Sequence, residues 1–264
     1  MIVSRRPDGL LIVRQVDHQD QCRTMAERWG NEAFARPEPF DPLADAAGWH
    51  DEGWRAWEDA PEIDPEGRPL DFPDLDAARH IALYRLGIRA AVERDPRAGL
   101  IVSMHGQGLY ERRLGLDGPP PPRAERPPEV RAYLEEQEEL QASLTAALGG
   151  EERVGEWAWD GYRLLQAWDL LSLWLLWRGL PTGEEHALVQ VPRWAGDPGV
   201  DLRLVPDGPM ACTIDPFPFP GDAVELPVAA RVIADRRYED DLDLRIALDD
   251  APWEDRVYEA RRAA

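Results

Sequence analysis

LLQAWDLLSLWLLW, residues 164–177, carries a single charge, Asp169, in fourteen residues. Leu, Ala and Trp without Gly or Pro favour a helix, and the run predicts the most hydrophobic helix of the chain over 156–178. The most apolar stretch, residues 170–177, is only eight residues long and falls well short of a bilayer, so this is a buried helix rather than a membrane span. Helical spacing puts Asp169 on one stripe with Tyr162, Leu165, Ser172, Leu173 and Leu176. That stripe must face inward. An ionised carboxylate there costs several kcal/mol unless a metal cation, an Arg such as Arg163 or Arg178, or a buried His compensates it.

Outward from this helix, the chain divides into three stretches. Residues 1–16 read as a β-hairpin, MIVSRR and GLLIVRQ around the turn Pro7-Asp8-Gly9, free to join a later sheet. Residues 17–183 read as a helical domain. Its helices are predicted at 18–29 with Asp17 as N-cap and Gly30 as terminator, then at 45–58, 75–93, 97–113, 129–148 and 156–178. The run GPPPPRAERPP, residues 118–128, is a loop because proline cannot sit inside a helix. Residues 184–264 read as an antiparallel β region. HALVQVPRW, VDLRLVP, ACTIDPF, AVELPVAARVIA and LDLRIAL are short and β-prone, punctuated by Pro, Gly and Asp. The expected fold class is therefore α+β.

Composition narrows the function. A net charge of −21 argues against nucleic acid or an anionic membrane as partner, and all 30 basic residues are Arg, with no Lys in the chain. Cys22 and Cys212 are far apart and suggest free thiols in a reducing compartment. With no signal-peptide core at the start, the expected location is cytoplasmic. No Gly-rich phosphate loop, GxSxG elbow or CxxC pair is present.

The histidines carry the strongest signal. His18 shares a helical stripe with Cys22, Met25 and Trp29; His50 with Trp54 and Trp57; His80 with Ile81, Tyr84 and Ile88; His105 with Ile101, Val102 and Leu109. Any one of them is ordinary core. Together with Asp169, four of the five His face inward on five helices, and neutral imidazoles with carboxylates are the usual ligands of Zn, Fe and Mn. His186 falls outside this pattern.

The order His18, His50-Asp51, His80, His105, Asp169 resembles the HD superfamily of helical metalloenzymes over roughly residues 15–178. The whole chain, with its HDEGW, SMHG and WDLLSL segments, also resembles a bacterial family catalogued only as a domain of unknown function. The HD resemblance implies two divalent ions (Fe, Mn or Zn). His18, His50, Asp51 and Asp169 would hold one; His80 and His105 would hold the other, with Asp51 bridging at the reacting centre. Many dinuclear relatives have a Lys three residues after the HD Asp; here the position is Trp54, and Arg55 and Arg112 are the candidates to bind substrate in its place. The expected activity is metal-dependent hydrolysis of a small-molecule phosphoester. Alternatives are a mixed-valence di-iron oxygenase and a non-catalytic metal- or ligand-binding module. The sequence leaves oligomeric state open.

Overall fold

The computed structural model describes residues 1–116 and 121–263. The chain opens with hairpin β1 (Ile2–Arg6) and β2 (Gly9–Val13), then, among the described residues, runs through eight helices: α1 (Gln15–Arg28), α2 (Asp41–Ala47), α3 (Arg55–Glu58), α4 (Ala77–Arg94), α5 (Pro96–Glu111), α6 (Pro128–Ala147), α7 (Glu151–Leu176) and α8 (Gly179–Thr182). Strands β3 (His186–Val191), β4 (Val200–Pro206), β5 (Ala211–Asp215) and β6 (Ala223–Ile233) follow, then α9 (Asp241–Asp250) and β7 (Glu254–Arg262). The mixed α/β character is as expected, and among the described residues no helix is long and apolar enough to cross a membrane.

All seven strands form one sheet in the order β1-β2-β6-β7-β5-β4-β3. The N-terminal hairpin joins it where Leu10 pairs with Ile233. The expectation of a purely antiparallel region needs correction: β5 and β7 are parallel, Ala211 opposite Glu259. β7 enters between β5 and β6 and runs antiparallel to β6, so it must run with β5. A second correction concerns LDLRIAL, which forms α9 and not a strand. Asp240 accepts the Asp243 amide at 2.8 Å as N-cap. Only Leu244 and Leu248 are buried, the i, i+4 pair, while Leu242 and Ile246 face solvent.

Most helices lie within a few residues of their predicted bounds. Asp17 is not the cap of α1; it sits in the first turn and receives two hydrogen bonds, 2.7 and 2.8 Å, from the Arg14 guanidinium. The predicted helix at 45–58 breaks into α2, a turn at 49–51, a 3-10 turn Glu52–Trp54 and α3. Residues 118–120 of the proline run lie outside the described residues; the rest of it contains a 3-10 turn, Arg123–Glu125.

Two packings position the site. α1 lies against β6, where the Gln21 side-chain amide donates to the Leu226 carbonyl at 2.9 Å. α7 carries the buried Arg163, which donates to Asp160 and to the carbonyls of Gln190, Asp197 and Pro198 at 2.7–3.1 Å. That clasp ties the β3–β4 connection to α7. It also removes Arg163 as a partner for Asp169.

Candidate metal centre

Asp169 is one of the most enclosed carboxylates of the molecule, and its partners are imidazoles. His18 Nε2 lies 2.9 Å from Asp169 Oδ1, His50 Nε2 3.7 Å from the same oxygen, and His105 Nε2 4.0 Å from Oδ2. Asp51 Oδ2 is 3.5 Å from His50 Nε2. The His50 ring stands edge-on to His18 and to His105, centroids 5.4 and 5.2 Å apart. His18 comes from α1, His50-Asp51 from the turn after α2, His105 from α5 and Asp169 from α7. All five are buried.

The tautomers follow from the surrounding hydrogen bonds. Gln21 donates its amide to Leu226, so its oxygen faces Ser172, whose hydroxyl donates to it at 2.6 Å. Ser172 Oγ must then accept from His18 Nδ1, 2.7 Å away. His50 Nδ1 faces the Ala47 carbonyl at 2.9 Å, an acceptor only, so it too carries hydrogen. Both Nε2 atoms are therefore bare in the neutral rings, and both point at carboxylate oxygens. His50 Nε2, Asp51 Oδ1 and His105 Nδ1 have no hydrogen-bond partner although they are buried. Lone pairs facing lone pairs in a dry interior need positive charge between them.

The electrostatics agree. Burial would push the His50 pKa down, but Asp51 and Asp169 overcome it and raise it to about 9 in the metal-free chain. Burial would raise Asp169, yet the His18 and His50 rings that face it hold it well below the usual carboxylate range. Asp51 is pushed up by burial, with His50 and His18 opposing. His105 falls to about 4, chiefly by burial.

The HD turn reaches the centre through a glycine contact. A Cβ on Gly53 would sit 1.9 Å from the Leu83 carbonyl oxygen and 2.8 Å from the Gly87 nitrogen. Gly53 and Gly87 thus let the turn press directly on the α4 backbone. The Asp51 amide is fixed from the other side by Gln19 Oε1 at 3.0 Å.

The remaining predicted residues are not brought together with these. His80 lies on α4 among Tyr84, Trp54 and Tyr110, and its Nδ1 meets the Tyr110 hydroxyl at 3.1 Å. Among the described residues neither His80 nor Asp51 belongs to either group of donors close enough to share an ion, His18–Cys22–His50 and His50–His105–Asp169; Asp51 approaches His50 at 3.5 Å. Trp54, fully buried, packs its ring 5.2 Å from that of His80. Arg55 is half-exposed and bound to Glu52 at 2.9 Å; Arg112 is exposed at the C-terminal cap of α5. Arg55 is engaged by Glu52 rather than by the centre. Cys22, absent from the predicted ligands, lies beside His18 with Sγ 3.9 Å from Nε2. It shares the His18 stripe at i+4, a signal open to sequence reading; the roles of Gln21, Ser172 and Gly53 depend on long-range packing and had no local mark.

The four cavities described elsewhere in the molecule have other linings. One of about 200 Å³ lies between Arg14, Glu58, Arg231 and Trp253.

A family model described as "Protein of unknown function (DUF3891)" matches residues 1–235. The chain belongs to the DUF3891 family. The match takes in every residue of the centre and ends before α9 and β7. No curated protein and no solved structure matches the chain.

Proposed function

We propose that this DUF3891 protein is a metal-dependent hydrolase of the HD kind, holding one divalent cation between His18, His50, Asp51 and Asp169. The observation that carries the reading is the pair of buried, bare Nε2 atoms of His18 and His50 aimed at the Asp169 carboxylate. These four residues are the set that the HD resemblance assigns to one ion. A second ion would need His80, which lies on α4 outside both groups of donors close enough to share an ion. A divalent cation held here supplies Lewis acidity and lowers the pKa of water for attack on a phosphoester. The chain's own residues supply orientation: Ala47 and Ser172 fix the two rings by their Nδ1 hydrogens. His105, neutral at pH 7, flanks Asp169. Arg55, four residues beyond Asp51 and half-exposed, is the first candidate to meet a substrate phosphate, with Arg112 the second.

The seclusion of the centre favours a second reading, a non-catalytic metal module. His18, His50, Asp51, His105 and Asp169 are each at most 4% exposed, so substrate entry requires the HD turn to move. A panel of nucleotide and sugar phosphoesters assayed with Mn²⁺, Fe²⁺ or Zn²⁺ separates the two. The hydrolase reading predicts turnover that disappears in the His50→Ala, Asp51→Ala double variant. Metal-loaded, folded wild type that turns over none of them would contradict it and leave the module.

A further inference from the structure

We propose that Cys22 is a ligand of the same ion, making the centre selective for a thiophilic cation; the inference rests on the metal reading shared by both functions above. Cys22 follows His18 by one turn of α1, so both side chains leave the helix on one face. Its Sγ is fully buried, 3.9 Å from His18 Nε2, and the donors of His18, Cys22 and His50 all lie within 4.8 Å of one another. In tetrahedral zinc, with Zn–S about 2.3 Å and Zn–N about 2.0–2.1 Å, sulfur and nitrogen ligands stand about 3.6 Å apart. The observed spacing is close to this, but Sγ is also 4.0 Å from Nδ1, so ligation requires the Cys22 side chain to rotate toward the Nε2 side of the ring.

Three further facts point the thiol at a cation. His50 Nε2, in the same group, is buried without a hydrogen-bond partner. Asp169 Oδ1, 2.9 Å from His18 Nε2 and 3.7 Å from His50 Nε2, lies beside this group, though not among the donors within 4.8 Å of Cys22. Cys212 is on β5, and neither cysteine is in a disulfide, so Cys22 is not committed to a bridge. On coordination the S–H bond breaks, the sulfur pair forms the bond to the cation and the proton leaves to solvent; nothing is oxidised or reduced.

Thiolate ligands favour Zn²⁺ and Fe²⁺ over Mn²⁺ and Mg²⁺, which prefer oxygen. If Asp169 closed on the His18–Cys22–His50 group, the four residues would fill all positions of tetrahedral zinc, the closed form of structural sites. The inference thus sides with the second reading of function.

The test is titration of the chelator-stripped full chain with Co²⁺ alone, followed by absorption. The expected result is a near-ultraviolet sulfur-to-cobalt charge-transfer band that saturates at about one equivalent, with the intense visible bands of tetrahedral cobalt. Cys22→Ser should abolish the charge-transfer band and weaken Zn²⁺ binding by about tenfold or more, while Mn²⁺ binding stays within about threefold. Cys212→Ala should keep the band, which decides the matter even if Cys22→Ser folds poorly. Cobalt bound without the band, or with a band that survives Cys22→Ser, overturns thiolate ligation and leaves the metal centre standing. No cobalt bound at all overturns both.

Discussion

Asp169 is the residue on which the centre turns. It lies in the longest helix of the described residues, on a mostly buried stretch, and is ionised because two imidazoles face it. Replacing it with Asn keeps the volume and removes the charge. In the metal-free protein this leaves His50 without its counter-charge, and breaking a buried pair costs about 3–5 kcal/mol. Asp169→Asn should lower the urea midpoint by a corresponding amount and weaken metal binding by on the order of 100-fold, measured by chelator competition. Asp169→Ala should lose metal while circular dichroism still shows the helices. His50 gives a pH prediction for the chelated chain. Its pKa rises from 6.5 unfolded to about 9 folded, so the folded state binds more protons between those values. The stability it contributes is fully present below pH 6.5 and lost as the pH rises through 9. Urea midpoints in EDTA should therefore fall more steeply from pH 7 to 9 in wild type than in His50→Gln. Parallel slopes would mean that His50 is not charged in the folded metal-free state.

At the scale of elements, the HD turn is held by backbone contact with α4 and by the Gln19 side chain. Gly53→Ala pushes a Cβ into the Leu83 carbonyl on α4. Overpacking of this kind costs about 1–3 kcal/mol, and because the turn carries both His50 and Asp51, metal affinity should fall in parallel. A stability loss with unchanged affinity would show that the turn and the centre are independent. This turn also marks the limit of sequence reading. α1, α5 and α7 have long regular stripes, so the inward aim of His18, His105 and Asp169 was legible from helical spacing alone. The 45–58 segment was read as one helix with His50 on its stripe, but Gly48 ends α2 and the dyad is presented by a turn. His80 shows the converse problem. Its stripe with Tyr84 and Ile88 is real, yet the inner face of α4 meets Trp54 at one level and the HD turn at another. Which neighbour a buried His meets is a tertiary fact that periodicity does not contain. LDLRIAL failed for a related reason: its apolar residues fit both periods, and the Asp240 cap decides for the helix.

At the scale of the molecule, helices and sheet are joined at points that also organise the centre. The Leu226 carbonyl on β6 orients Gln21, which orients Ser172, which sets the His18 tautomer. On the other side of α7, Arg163 holds the β3–β4 connection by its donors to three carbonyls and Asp160. Arg163→Ala leaves Asp160 and those carbonyls without their shared donor and should cost about 3–5 kcal/mol, read as a lower urea midpoint. Its effect on metal affinity should be small, because Arg163 makes no contact with Asp169. Strand order was the least legible part of the fold: the alternating burial of β6 was readable locally, but the entry of β7 between β5 and β6 depends on pairings across the whole chain. The central claim is that His18, His50, Asp51 and Asp169 converge because a cation belongs between them. Elemental analysis by mass spectrometry, on protein purified without chelators beside the His50→Ala, Asp51→Ala variant, tests it most directly. The account predicts about one transition-metal equivalent per wild-type chain, lost in a variant that remains folded. Wild type without metal, and unable to take up Zn²⁺, Fe²⁺ or Mn²⁺ on dialysis, would contradict it and make His50 and Asp169 a buried ion pair of the core.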